Sequence, residues 1–260
     1  MTDTEQFAPE GDQIDIAAEI EKCAGSLHYF ATGYAKVPKE PSGVKQYRPK
    51  PRHSAELAAI DGERIQLSNW YRQAGYSTLA CIYLAWNAVF HPDSSAGILG
   101  TNAGCRFLDM KIVQTVIENL PRWMWPGIRR KSKDYIVLNN GSKVASATVR
   151  SGDFGTHPYA PDIIFFDDFG YSPPAAIEEF LACYLPVYSA SKTKRLIMAC
   201  VGGASQNALD MWKKMDGPDV RKSEFYWFDD PSLTPEWAEV KKKEIGLTMF
   251  GKMYEGTNLR

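Results

Sequence analysis

The sequence predicts an α/β protein built on a mostly parallel β-sheet with helices on both faces. Two observations carry this. Short, wholly apolar runs, Ile163-Ile-Phe-Phe166 and residues 196–201, have the pattern of strands buried on both sides. Helix-length segments separate such runs from about residue 63 onward, and alternation of that kind is the order of a crossover-connected sheet.

Taken in order, residues 1–14 are acidic and lack apolar periodicity, which predicts disorder. A helix is expected from Ile14 through Cys23 towards Phe30. Residues 36–52 hold four prolines, six basic residues and one acid, the composition of an extended basic connector. Residues 64–68 read as a short strand. Residues 77–90 read as a helix apolar on several faces and therefore buried, and residues 96–100 as a small-residue strand. Residues 105–120 form an amphipathic helix with Phe107, Met110, Val113, Ile117 and Leu120 on one stripe, ended by Pro121.

Residues 135–138 and 143–149 pair as an inserted β-hairpin, with Asn140-Gly141 supplying the positive φ angles of a tight primed turn. The strand over 163–166 ends in Asp167-Asp168. Pro173-Pro174 opens a helix over 175–185, and the strand over 196–201 leads through Gly202-Gly203 into a helix containing Asp210-Met-Trp212. Residues 225–228 read as the last strand. Thr234-Pro235-Glu236 starts the closing helix, with Thr as N-cap and Pro in the first turn. This organisation places a helical and extended N-terminal appendage in residues 1–62 and the α/β core in residues 63–260, with no internal repeat.

Composition excludes several classes. The 260 residues are 44% apolar and 23% charged, ordinary for a globular protein. With 30 basic and 31 acidic residues the formal charge is -1, so any nucleic-acid contact must come from a local patch. No apolar run approaches the ~20 residues of a membrane helix. The first twenty residues hold Asp3, Glu5, Glu10, Asp12, Asp15 and Glu19 and no basic residue, the wrong charge for a leader. Cys23, Cys81, Cys105, Cys183 and Cys200 are dispersed, as are His28, His53, His91 and His157. That argues for a reducing cytosol and against a disulfide frame or zinc site.

Ligands of parallel sheets sit beyond the carboxyl ends of the strands, and two such ends carry suitable residues. The first is Asn69-Trp-Tyr-Arg-Gln-Ala-Gly-Tyr-Ser-Thr78, between a strand and a helix, where a phosphate-binding loop would sit. That chemistry needs backbone amides and a helix N-terminus facing phosphate, a lysine on its charge and a hydroxyl on Mg²⁺. Gly75 and Ser77 fit the pattern, while Tyr76 stands in the lysine position. An ordinary strand-to-helix turn is the alternative. The second end is Asp167-Asp168. An acid there holds Mg²⁺ through water and its neighbour orients an attacking water; the alternative is a strand-end Asp satisfying turn amides.

A third feature is charge. Residues 121–150 hold Arg122, Arg129, Arg130, Lys131, Lys133, Lys143 and Arg150 against Asp134 alone. With residues 36–52 they form either a phosphate-backbone contact or a solvated face. A metal-dependent nuclease using Asp153, Asp162, Asp167 and Asp168 is a further reading.

The ordered set of these segments resembles the ATPase domain of the large terminase subunit, the DNA-packaging motor of tailed phages. Tyr71-Arg-Gln-Ala-Gly-Tyr-Ser-Thr78 is similar to its Walker A loop. Residues 163–168 stand where Walker B stands, and residues 194–212 where the coupling motif lies. Glu21-Lys-Cys23, Tyr29-Phe30 and Tyr34, Ala96-Gly-Ile-Leu99, Asn119-Leu-Pro121 and Leu138-Asn-Asn-Gly-Ser142 resemble further segments of that domain.

The resemblance implies a P-loop NTPase fold of the ASCE type, with ATP and Mg²⁺ as ligands if the site functions. Gln73, Gly75, Tyr76, Ser77 and Thr78 would contact nucleotide, Ser77 and Asp167 would hold the metal, and Asp168 and Arg72 would be catalytic. It also implies double-stranded DNA, portal protein, the small terminase subunit and a separate nuclease or large-terminase chain as partners, with no membrane. The expected location is the host cytoplasm, transiently at the procapsid portal.

The departures are as specific. The lysine is Tyr76, the usual catalytic Glu is Asp168, and the coupling motif is Ala199-Cys-Val-Gly-Gly-Ala204, without hydroxyls. The adenine-reading pair falls at Arg52-His53 and the upstream Arg-Gly near His157-Pro158. The family's nuclease domain is expected to be absent. A non-hydrolysing structural or regulatory paralogue of the motor is therefore the rival expectation.

Overall fold

A computed structural model describes residues 15–149, 160–200 and 206–256. Two helices open it, α1 (Ile16–Gly25) and α2 (Leu27–Gly33), where one helix over 14–30 was expected. The break has a local cause. Ser26 is extended (φ -148°, ψ 103°) and its Oγ accepts the Tyr29 N–H at 3.1 Å, so it caps a new helix. The basic connector is also structured. β1 (Lys36–Pro38) and β2 (Val44–Gln46) pair antiparallel, and Pro51 starts α3 (Pro51–Ala59), where its missing N–H costs nothing.

The core follows as β3 (Ile65–Trp70), α4 (Tyr76–Phe90), β4 (Ser95–Gly100), α5 (Ala103–Glu118), β5 (Ile128–Lys131), β6 (Tyr135–Leu138) and β7 (Lys143–Thr148). Then come β8 (Ile163–Phe166), α6 (Pro174–Ala190), β9 (Arg195–Cys200), α7 (Gln206–Lys214), β10 (Val220–Phe225), α8 (Pro235–Ile245) and α9 (Leu247–Phe250). The main sheet has the order β10-β3-β9-β8-β4-β7-β6-β5. It is parallel from β10 to β7 and antiparallel from β7 to β5, the mostly parallel α/β sheet expected.

Three details differ from expectation. The hairpin strand β7 runs parallel to β4 as part of the main sheet. Its turn is not a primed one: Gly141 (φ 88°) is left-handed but Asn140 is not, and the Gly141 N–H bonds Leu138 O at 3.2 Å. That is a tight turn followed by a left-handed glycine. The last strand covers 220–225 rather than 225–228. Past Phe225 the chain turns over Trp227–Asp229, with Asp229 Oδ2 accepting the Tyr226 N–H at 3.0 Å.

The side chains of β8 explain its wholly apolar sequence. Ile163 and Phe165 face the core formed with α1–α5, whereas Ile164 and Phe166 face Phe180, Tyr188 and Met198 on the other side. All four are at most 3% exposed. Burial of each such side chain is worth about 1.5–3 kcal/mol, so the strand that ends in Asp167 is among the most firmly held. Cys23, Phe30, Val37 and Leu57 belong to the same core as α4 and α5.

Candidate functional site

Every residue of β3 is buried, and the chain leaves this strand under tight control. The Tyr71 N–H donates to Phe225 O at 2.7 Å and the Arg72 N–H to Met253 O at 2.9 Å. Tyr71 Oη donates to Asp230 Oδ2 at 2.5 Å, an oxygen that also takes Lys50 Nζ at 2.6 Å. Burial alone would raise the Asp230 carboxyl, but Lys50, Ser232 and Tyr71 outweigh it and hold it well below the usual carboxylate range.

The loop itself is bent by two left-handed residues, Gln73 (φ 68°) and Gly75 (φ 95°). Gly75 is needed twice, for its φ and because a Cβ there would lie 3.1 Å from His53 Cε1. His53 braces the loop from behind. Its Nε2 lies 2.7 Å from Ala74 O and its Nδ1 3.0 Å from Tyr47 Oη. Burial lowers the pKa of this imidazole, so it is neutral at pH 7. Ala74 O only accepts; Nε2 therefore carries the hydrogen and Nδ1 accepts from Tyr47.

Helix α4 starts at Tyr76 with no side-chain cap, because its N-cap is Gly75. The amides of residues 76, 77 and 78 thus have no acceptor within the helix. Ser77 Oγ donates to Asp167 Oδ1 at 2.9 Å, joining the loop to the carboxyl end of β8 across the intervening β9. Thr78 is half-buried; Arg72 and Gln73 are exposed.

The side chain of Tyr76 turns into the protein. Its ring lies 5.0 Å from that of Trp70 at 72°, and Trp70 stacks on His53. The phenol is buried with no partner at hydrogen-bonding geometry, and burial pushes its pKa far above the usual range. Arg52 lies over the Trp70 ring and donates to Ser223 Oγ and Glu224 O. Of the Arg52-His53 pair, only His53 therefore reaches the loop.

Three carboxyls meet beside Ser77. The Asp167 N–H donates to Leu99 O at 2.8 Å, continuing the β8–β4 ladder, and Asp168 is left-handed (φ 51°). The third acid is Asp109 of α5, which sequence reasoning missed. The signal was present: Asp109, Val113 and Val116 lie at helical spacing along the buried side of α5. Burial raises the Asp109 carboxyl well above its normal range, with Asp167 and Asp168 adding to the effect. Burial, then Asp168, pushes Asp167 up to about 7; burial also raises Asp168, with the Arg72 charge opposing. Asp109 Oδ2 is buried with no hydrogen-bond partner, and the nearness of Asp167 and Asp168 disfavours ionising all three acids together.

A pH-dependent stability follows. A carboxyl raised by folding destabilises the native state as pH climbs from about 3.9, the unfolded value, towards its folded pKa. Asp109→Asn removes one of these raised carboxyls at nearly constant shape. The melting temperature of the variant relative to the parent is expected to rise as pH climbs from about 4 towards about 7. A difference that does not change with pH would show that folding does not raise the Asp109 carboxyl.

A cavity of about 520 Å³ opens beside the loop. Gln73, Gly75 and Thr78 line one wall; Lys45, Arg48 and Lys111 stand on the others. The second basic segment sits elsewhere: Arg129, Arg130 and Lys131 are exposed on β5, the outermost strand, where charge blocks edge pairing.

The nuclease reading loses its convergence. Asp162 lies at the opposite end of β8 from Asp167, accepting from the Ser95 N–H and Oγ, each at 2.8 Å. Asp153, His157-Pro158 and residues 201–204 of the coupling segment lie outside the described residues, as do residues 1–14. Among the described residues no group of three or more His, Cys, Asp and Glu is arranged to hold a metal ion, and no helix is long and apolar enough to cross a membrane.

No protein-family sequence profile matches the chain. Solved structures do. The large-terminase ATPase domain of Thermus phage P74-26 aligns with a TM-score of 0.63 at 13% identity, over 81% of this chain and 94% of that one. The large terminase of bacteriophage HK97 aligns at 0.67 and 14% identity, over 91% of this chain and 54% of that one. The large terminase of a thermophilic bacteriophage, solved in complex with ADP, aligns at 0.59 and 13% identity, over 80% and 52%. The chain thus spans about half the length of those two whole terminases. Its fold is that of a large-terminase ATPase domain.

Proposed function

We propose that the chain is the ATP-binding, ATPase-like module of a DNA-packaging motor of a tailed phage or prophage. The observation that supports it best is the 2.9 Å contact between Ser77, at the open N-terminus of α4, and Asp167, at the end of a central strand. Those two positions must meet for a P-loop to bind a metal–nucleotide complex.

The donor set suits Mg²⁺. A hydroxyl and a carboxylate are hard oxygen ligands that leave positions for phosphate and water. When bound, the ion would supply positive charge against the phosphates. In this proposal the amides of residues 75–78 hold phosphate, and Ser77 and Asp167 hold the metal. Gln73 and Thr78 flank the nucleotide. Asp168 orients the attacking water and Arg72 stabilises transferred charge. Asp109 acts on Asp167 and helps to set how readily that carboxyl ionises. Residues 63–260 act as the nucleotide-binding unit, and residues 1–62 add the brace His53 and one wall of the cavity. Double-stranded DNA, portal, the small terminase subunit and a nuclease-bearing chain are the partners this role calls for, at the procapsid of an infected cell.

Calorimetric titration of ATP with Mg²⁺ tests the reading. Binding is expected to be lost in Asp167→Ala, and DNA-stimulated hydrolysis with it; hydrolysis unchanged in that variant would sink the assignment of Asp167. The burial of Tyr76 favours a second reading, a non-hydrolysing paralogue that keeps the fold for contacts with DNA, portal or the active subunit. Tight ATP binding with no DNA-stimulated turnover would select it.

A further inference from the structure

The loop residues 71–78 contain a single basic side chain, Arg72, and the position expected to carry an ammonium is the inward-turned Tyr76. An anion held by amides alone would leave most of its charge unmet. The cavity beside the loop supplies what the loop lacks. Lys45 on β2, Arg48 just after it and Lys111 on α5 line the same space as Gly75 and Thr78. All three are exposed at the cavity, and none makes an ion pair among the described residues.

A fourth cation there, Lys50, is already committed, 2.6 Å from Asp230. The cavity's one acid among the described residues is Glu40. Two of the cations are carried on the segment that includes β2 and the third on the facing helix, so a ligand between them would be gripped from two sides. Three uncommitted cations against one carboxylate is an arrangement for an anion of more than one charge.

We propose that Lys45, Arg48 and Lys111 replace the loop lysine and form the phosphate-charge clamp of this site, acting on the part of a nucleotide polyphosphate held by the amides near Gly75 and Thr78. This rests on the nucleotide-site reading above and adds the residues that make the site selective for polyphosphate. Arg48 offers a planar fork to phosphate, the two lysines point charges.

The test uses the full chain and three probes in calorimetric titrations at fixed ionic strength: ATP with Mg²⁺, tripolyphosphate with Mg²⁺, and adenosine. The variants are Lys45→Gln, Arg48→Gln, Lys111→Gln and the triple substitution; all three positions are exposed, and circular dichroism checks the fold. The parent is expected to bind ATP and tripolyphosphate. Each single change should weaken both by about 10-fold, since one charge-assisted contact is lost. The triple change should weaken both by about 100-fold or more, leave adenosine unaffected and flatten the salt dependence of ATP binding. Binding by the parent that the triple variant retains would overturn the clamp alone. Binding of none of the probes by the parent would overturn the nucleotide-site reading and the clamp with it.

Discussion

Arg221→Ala is expected to destabilise the chain by about 3–5 kcal/mol, more than the reciprocal change Glu56→Ala. Arg221 donates Nη1 and Nη2 to the two oxygens of Glu56 at 2.5 and 2.7 Å, and Ser223 Oγ adds a third bond at 2.9 Å. The two partners are not equally buried. The Glu56 side chain is 0% exposed and that of Arg221 is 23% exposed. Removing the arginine strands an anion with no route to water, whereas removing the glutamate leaves a guanidinium that can swing outward. Replacing both by leucine should recover part of the loss, because the desolvation penalty disappears with the pair. Urea unfolding of the single and double variants measures this; equal losses in the two single variants would show that burial asymmetry does not decide the cost. The pair also bears on function. It ties α3 to β10, and α3 carries His53 against the phosphate-binding loop.

Tyr76→Lys, which writes the usual loop lysine into the sequence, is expected to destabilise the protein by about 3 kcal/mol or more without improving nucleotide binding. The ring of Tyr76 is 5% exposed and packs on Trp70. A lysine that follows the same path would bury an ammonium among aromatic rings, where the nearby Glu56 is already paired with Arg221, a cost above that of the lost packing. A lysine that turns to the mouth would leave an aromatic-sized void, for which large-to-small substitutions give about 3–5 kcal/mol. Both routes lose stability, and Tyr76→Phe separates packing from polarity: the phenol oxygen has no hydrogen-bonding partner, so its removal should be nearly neutral. Thermal and urea unfolding, with ATP titration of whatever folds, decide the matter. A Tyr76→Lys protein as stable as its parent and binding ATP more tightly would mean that the inward pose is not what the fold requires.

Much of the frame was legible before any coordinates. Residues 163–166 could be read as a strand because an unbroken apolar run of that length, closed by two acids, has few other uses. The start of α8 was legible because Thr234 Oγ1 caps the Trp237 N–H at 3.2 Å, a bond between neighbours in sequence. β10 was misplaced for the opposite reason. Arg221, Lys222, Ser223 and Glu224 give it no apolar run, and its partners on β3 are more than 150 residues away. Ser26 hid a helix break for a similar reason: one capping oxygen is invisible to periodicity.

What the sequence determined by itself is therefore local: which runs form strands and helices, where several are capped, and the order in which a loop, a hydroxyl and two acids follow along the chain. These depend on residues within a few positions of each other. Only the tertiary structure decided which of them meet. It brought Ser77 to Asp167 and added Asp109 to the acids. It turned Tyr76 away from the loop, and set Lys45, Arg48 and Lys111 around the space next to Gly75. The physical reason is that periodicity states which side of an element is buried, never what it is buried against. Charge and pKa depend on that second fact: Asp109 reads as an ordinary helix acid until burial and the nearby Asp167 and Asp168 raise its carboxyl.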